Sequence, residues 1–200
     1  MKETDLFAPV QHYLTRLGYK VDAEVKDCDV VALYDDDLLI VELKLNLNLK
    51  LLIQATDRQS ISTKVYIAVP HPRKITKHWK KGEKLIRRLG LGLLTIKQSP
   101  LGLTTTLRFE PNHKSRINKR RQTAVLAELK GRIFSPDLTI QGSGVITQNS
   151  VDTGAKNIGG SNGVRIFTAY RQTALTIATL LEQKGELKVS EIRPLAGVKT

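Results

Sequence analysis

The chain has 200 residues and a formal net charge of +13, enough length for one solid domain, or a domain with a small appendage. Apolar residues make up 40% and supply a core, whereas the single cysteine, Cys28, excludes an intrachain disulfide and any CxxC zinc site. There is no run of about 18 apolar residues to span a membrane, and the start Met1-Lys2-Glu3-Thr4-Asp5 has no apolar signal region, so a cytoplasmic location is expected.

Residues 5–17, DLFAPVQHYLTRL, place Leu6, Val10, Leu14 and Leu17 near helical spacing, with Pro9 in the first turn and Gly18 as the stop. In YKVDAEVK, Tyr19, Val21, Ala23 and Val25 alternate with polar residues, which predicts a strand. Two further strands, 28–34 and 38–45, flank Asp35-Asp36-Asp37. Residues 49–61 read as a helix and 64–70, KVYIAVP, as a fully buried strand. Residues 76–90 form a basic amphipathic helix with Trp79, Leu85, Ile86 and Leu89 as apolar positions. LGLLTIK and LTTTLRFE complete the order as a hairpin around Ser99-Pro100, giving α-β-β-β-α-β-α-β-β up to about residue 111.

The second and third strands carry polar residues where apolar ones would pack better. If Tyr34 faces Asp37 across a two-residue turn, Asp29 faces Glu42, because facing residues of an antiparallel pair keep a constant index sum. Lys44 lies two residues beyond Glu42, on the same face. A slip of one residue would send Asp29 to the opposite face. Two carboxylates one cross-strand spacing apart repel unless a cation joins them, and Mg²⁺ suits such oxygen ligands. The alternative is a salt bridge from Lys44 to Asp29 or Glu42, worth about 0–1 kcal/mol if exposed. Cys28 is expected to pack on the other face.

These residues carry a family resemblance. Asp29, twelve intervening residues and Glu42-Leu43-Lys44, set between a helix, a strand pair, a helix and a buried strand, resemble the PD-(D/E)xK nuclease superfamily, whose core is αβββαβ. The wider string, from ETDLFAPVQHYLTRLGYKV through CDVVALYDDDLLIVELKLNLNLKLLIQATDR to VYIAVP, is similar to an uncharacterised bacterial family described as PD-(D/E)xK-type phosphodiesterases. It covers residues 1–70 strongly and continues more weakly toward the C-terminal helix. The resemblance implies a restriction-endonuclease-like α/β fold, a mixed central sheet flanked by helices. It makes Asp29, Glu42 and the Leu43 carbonyl ligands of Mg²⁺ (or Mn²⁺), Lys44 the catalytic lysine and Gln54 a residue directed into the site. Glu3 matches the acidic residue of the first helix, with Asp5 competing for that role. Arg58, one turn after Gln54, could reach a scissile phosphate or form a surface charge with Asp57. Glu24 is a nearby candidate, although an edge strand would leave it solvated.

Charge is unevenly spread. Residues 1–69 carry 8 Lys/Arg against 11 Asp/Glu, residues 70–132 carry 17 against 3, and residues 133–200 carry 7 against 5. The central block is the footprint expected of a phosphate-backbone binder, its alternative being a solvated face that aids solubility. Lys77, Lys80, Lys81, Lys84 and Arg88 crowd one helix as like charges at i, i+4, and Arg120 and Arg121 belong to a second cluster. Trp79 is expected in the core rather than on a base.

Three segments are expected: residues 1–111 as the nuclease-like domain, 112–164 as a basic segment and Gly-rich linker, and 165–200 as a small helical region. The last reads as a partial helix-turn-helix or winged helix: a long helix, Gly185, and a short helix through Ser190–Arg193. In relatives a third helix and a wing are expected after Gly197-Val198, whereas this sequence ends at Thr200. The leading expectation is a metal-dependent nuclease acting on nucleic acid, with DNA the substrate. The class often cuts two strands as dimers, which allows a homodimer. A non-catalytic nucleic-acid-binding module is the alternative, and a protein–protein adaptor using the last 35 residues the third reading.

Overall fold

The computed structural model describes residues 1–100, 102–114, 116–133, 158–160 and 168–196. Of the expected basic segment and Gly-rich linker, 112–164, residues 115, 134–157 and 161–164 lie outside the described residues. The chain divides into two compact units, Met1–Val125 with Ile158–Val164, and Leu126–Asn157 with Arg165–Thr200.

The first unit opens with a 3₁₀ turn, Glu3–Leu6, leading into α1, Phe7–Arg16, with Pro9 in its first turn where a missing N–H is harmless. Six strands follow in one sheet: β1 Lys20–Val25, β2 Cys28–Tyr34, β3 Asp37–Leu43, β4 Lys64–Pro70, β5 Gly92–Ser99 and β6 Gly102–Phe109. Helix α2, Leu49–Arg58, connects β3 to β4, and α3, Lys77–Arg88, connects β4 to β5. The sheet order is the chain order, with β3–β4 and β4–β5 parallel and the other pairs antiparallel. The result is a mixed α/β fold, compatible with a PD-(D/E)xK-like core.

Two apolar layers enclose the sheet. Leu6, Phe7, Val10 and Leu14 of the first segment cover Val30, Ala32, Val41, Leu43 and Ala68 on one face. On the other, Leu51 and Ala55 of α2 and Ile86 of α3 cover Val65, Ile67 and Leu93, with Trp79 packed partly buried against them. β4 is buried through Val65–Val69 and reads accordingly as an unbroken apolar run.

The β2–β3 register pairs Tyr34 with Asp37 and Val30 with Val41, as the two-residue Asp35-Asp36 turn requires. Asp37 accepts hydrogen bonds from Tyr19 and Lys64, which ties the turn down. β1 and β2 join through Lys26 and Asp27, both at positive φ, as a type I′ hairpin turn demands.

Some sequence expectations need correction. Leu17 and Leu85 are exposed, Leu17 because α1 ends one residue before it and Leu85 because it lies off the buried side of its helix. α2 ends at Arg58 instead of continuing to 61, although Ile61 is buried in the turn that follows. Glu24 is not solvated. It is at φ +53, between the pairs Ala23–Val30 and Val25–Cys28, and this local irregularity turns it inward to 8% exposure.

The division between units falls within α4, Lys119–Ile133. In the second unit, Glu128 of α4 accepts hydrogen bonds from the Ala169 N–H, which starts α5 (Ala169–Lys184), and from Arg132. Gly185 ends α5 at φ +75, and α6, Val189–Leu195, follows. Both helices match their expected places; the winged-helix reading goes beyond them.

Candidate active site

The candidate residues gather where β3 ends. One step along the ladder from Val30–Val41 stand Asp29 and Glu42, and Asp29 Oδ2 accepts the Leu43 N–H at 2.8 Å. Glu42 is fully buried. Its Oε1 receives Arg58 Nε at 2.9 Å, whereas its Oε2 is buried without a hydrogen-bond partner among the described residues. Burial, and next the charge of Asp29, push the Glu42 carboxyl up to about 7 against the pull of Arg58, with Glu24 adding to the rise. Burial likewise raises Asp29, opposed by the Leu43 N–H and by Lys44. The two carboxylates therefore feel each other, as the expected register requires.

Lys44 pairs with neither of them. Its Nζ is 2.8 Å from Glu3 Oε2, a contact between the chain start and the end of β3. The sequence alternatives, Asp29–Lys44 and Glu42–Lys44, give way to this pair because the 3₁₀ turn carries Glu3 to the strand end. Asp5 instead accepts the Lys2 N–H and caps that turn, which separates the two acidic candidates.

Arg58 is buried at 9% exposure. Besides Glu42 it donates to the Asp27 carbonyl at 2.5 Å and to Asp57 at 3.1 Å, so the expected charge pair with Asp57 is present, on a guanidinium that is itself largely buried. Sequence reasoning missed its pairing with Glu42, for which the only signal was an arginine on the helical stripe of Leu51 and Ala55. Gln54, one turn earlier, is half-buried. Cys28 is fully buried, and burial holds its thiol up at about 12, consistent with packing.

The basic residues separate into two sets. Lys77, Lys80, Lys81, Lys84 and Arg88 are exposed on α3, as is Arg120 on α4. Arg121 is tied down by Asp57 and Ser60. α3 is set against the loop leaving Lys44, since a Cβ on Gly82 would meet Leu47 at 2.6 Å. A cavity of about 320 Å³, lined by Tyr13, Tyr19, Tyr66, Lys64 and Glu110 among others, lies instead by the N-terminal ends of β3 and β4, away from these groups.

One further segment reaches the site. Gly159 would place a Cβ 2.6 Å from the Asp29 carbonyl oxygen, and Gly160 one 3.2 Å from Glu3 Cβ.

A family model described as "Putative PD-(D/E)XK phosphodiesterase (DUF2161)" matches residues 141–200. No curated protein and no solved structure matches the chain. The matched segment is thus distinct from residues 1–70, which carry the Asp29/Glu42/Lys44 motif, and it contains Gly159 and Gly160. Its description points to phosphodiester hydrolysis. Among the described residues no helix is long and apolar enough to cross a membrane.

A divalent metal is implied by that description. Among the described residues no group of three His, Cys, Asp or Glu side chains forms a metal cage. The partnerless buried Glu42 Oε2 beside Asp29 nevertheless fits a cation held by few protein oxygens and several waters, the habit of Mg²⁺.

Proposed function

We propose that the chain is a metal-dependent phosphodiesterase that hydrolyses a nucleic-acid backbone, with DNA as the substrate. The observation that carries this is Glu42: a fully buried carboxyl, raised by that burial and next by Asp29, with one oxygen held by Arg58 and the other without a hydrogen-bond partner among the described residues. Such a group is costly to bury as a structural element, and a cation removes the cost.

Asp29, Glu42 Oε2 and the Leu43 carbonyl would hold Mg²⁺ (or Mn²⁺), which when bound would polarise a phosphate and acidify a water. Arg58 fixes the Glu42 carboxylate so that Oε2 stays presented, the task of an outer partner of a ligand. Lys44, steadied by Glu3, offers an ammonium that orients the attacking water or offsets charge developing on the phosphate. Gln54, on α2 one turn before Arg58, would be the residue directed into the same space. Lys77, Lys80, Lys81, Lys84 and Arg88 on α3, with Arg120 on α4, contact the backbone without reading sequence, and the Leu47–Gly82 packing supports a path from α3 to the site.

The test is nicking of supercoiled plasmid DNA in Mg²⁺ or Mn²⁺. Activity should vanish on chelation and fall about 100-fold or more in Glu42→Ala and in Lys44→Ala, with circular dichroism retained. Full activity in both variants overturns the assignment. A non-catalytic nucleic-acid-binding module is favoured by one observation, the Arg58–Glu42 pair, which already gives Glu42 a cationic partner. It predicts salt-sensitive DNA binding with no cleavage in any divalent metal.

A further inference from the structure

We propose that Gly159 and Gly160 are positioning residues of the candidate site, a backbone strap that lies on Asp29 and Glu3 and fixes both against the end of β3. The functional meaning of the strap rests on the phosphodiesterase reading; its geometry does not.

A Cβ on Gly159 would stand 2.6 Å from the Asp29 carbonyl oxygen, 3.0 Å from Phe7 Cδ2 and 3.1 Å from Leu43 Cδ1. The nearest of these atoms is strand backbone, which cannot swing aside as the end of a long side chain can. Only glycine permits this approach. Gly160 is at φ +77, a left-handed conformation that other residues adopt at a cost, and its Cβ would press on Glu3 at 3.2 Å. Gly159 is buried and Gly160 half-buried.

The three residues touched in the site act together. Asp29 accepts the Leu43 N–H, Leu43 lies between Glu42 and Lys44, and Glu3 holds Lys44. Pushing the Asp29 backbone away would stretch the Asp29–Leu43 hydrogen bond and displace a carboxylate from the space it shares with Glu42. Pushing Glu3 would loosen Lys44. Supports of this kind act through the residues they orient.

The full chain carrying Gly159→Ala is compared with wild type by amide exchange in metal-free buffer and by Mn²⁺ affinity from calorimetry. Gly102→Ala is the control, since Gly102 also has positive φ, +114, but an added Cβ there meets nothing within 4 Å. We expect Gly159→Ala to speed exchange of the Leu43 amide while β4 amides exchange as in wild type, and to weaken Mn²⁺ binding about 10–100-fold. Gly102→Ala should do neither. Unchanged Leu43 exchange, or exchange raised equally throughout the sheet, overturns the proposal. If wild type binds no Mn²⁺, the metal reading fails while Leu43 exchange still decides the strap. Should Gly159→Ala not fold, Gly160→Ala, which presses on Glu3, is read instead by Mn²⁺ affinity and by exchange of the Lys44 amide, which donates to the Ala68 carbonyl; wild-type values for both overturn the proposal.

Discussion

Burial and the Asp29 charge both favour the protonated form of Glu42, and Arg58 is the group that opposes them at close range. The fold raises this carboxyl from its ordinary value of 4.5 to about 7, so its contribution to stability is greatest below pH 4.5 and declines as pH climbs to 7. Removing Arg58 raises the carboxyl further, and the extra loss accrues above pH 7. Arg58→Ala in metal-free buffer should therefore cost about 3–5 kcal/mol at pH 8.5 and clearly less at pH 6, measured by urea denaturation. An equal loss at both pH values would show that Glu42 is not the group Arg58 serves. Asp29 opposite Glu42 is legible in the sequence, because a two-residue turn and strict alternation leave one sensible register. The partners of Lys44 and Arg58 are not. Both contacts join segments whose approach depends on how the 3₁₀ turn and the end of α2 pack, and no local spacing encodes that.

Helix α3 folds with cations on every side but one. Ile86, Trp79 and Leu89 hold it to the sheet, Glu83 pairs with Arg108, and Arg87 stacks on the Phe109 ring at 3.6 Å. Lys77, Lys80, Lys81, Lys84 and Arg88 are left exposed as mutually repelling neighbours. Each lysine that meets a phosphate releases about one counterion, so the double variant Lys80→Ala/Lys84→Ala should flatten the slope of log K against log salt by about 2. It should weaken binding to unrelated DNA sequences alike. A slope identical to wild type would remove α3 from the interface. The helix itself is legible from its charge density and apolar stripe, and the hairpins from their turns. Glu24 eluded the same logic because a single positive φ breaks the period-2 rule on which that logic rests.

For the molecule as a whole, a ligand that binds only the folded chain stabilises all of it. Mn²⁺ at 100 times its dissociation constant should raise the unfolding free energy by about 2.7 kcal/mol, and Glu42→Ala should abolish the increase. An equal gain in the variant would place the metal elsewhere. The antiparallel pairs β2–β3 and β5–β6 were open to prediction as hairpins, whereas the parallel pairs β3–β4 and β4–β5 form across the α2 and α3 crossovers, which no local spacing encodes. The role of Gly159 and Gly160 was not open to prediction either, since a glycine-rich stretch has the same composition whether it dangles or straps. That separation along the chain has a temporal side. Glu3, Asp29, Glu42, Lys44 and Arg58 emerge early in synthesis, whereas the two glycines that wall Asp29 and Glu3 follow about 100 residues later, a lag of roughly 5–20 s at ordinary elongation rates. A nascent chain thus carries its carboxylates well before it can clamp them, so the candidate site stays open on that side until the two glycines have been made.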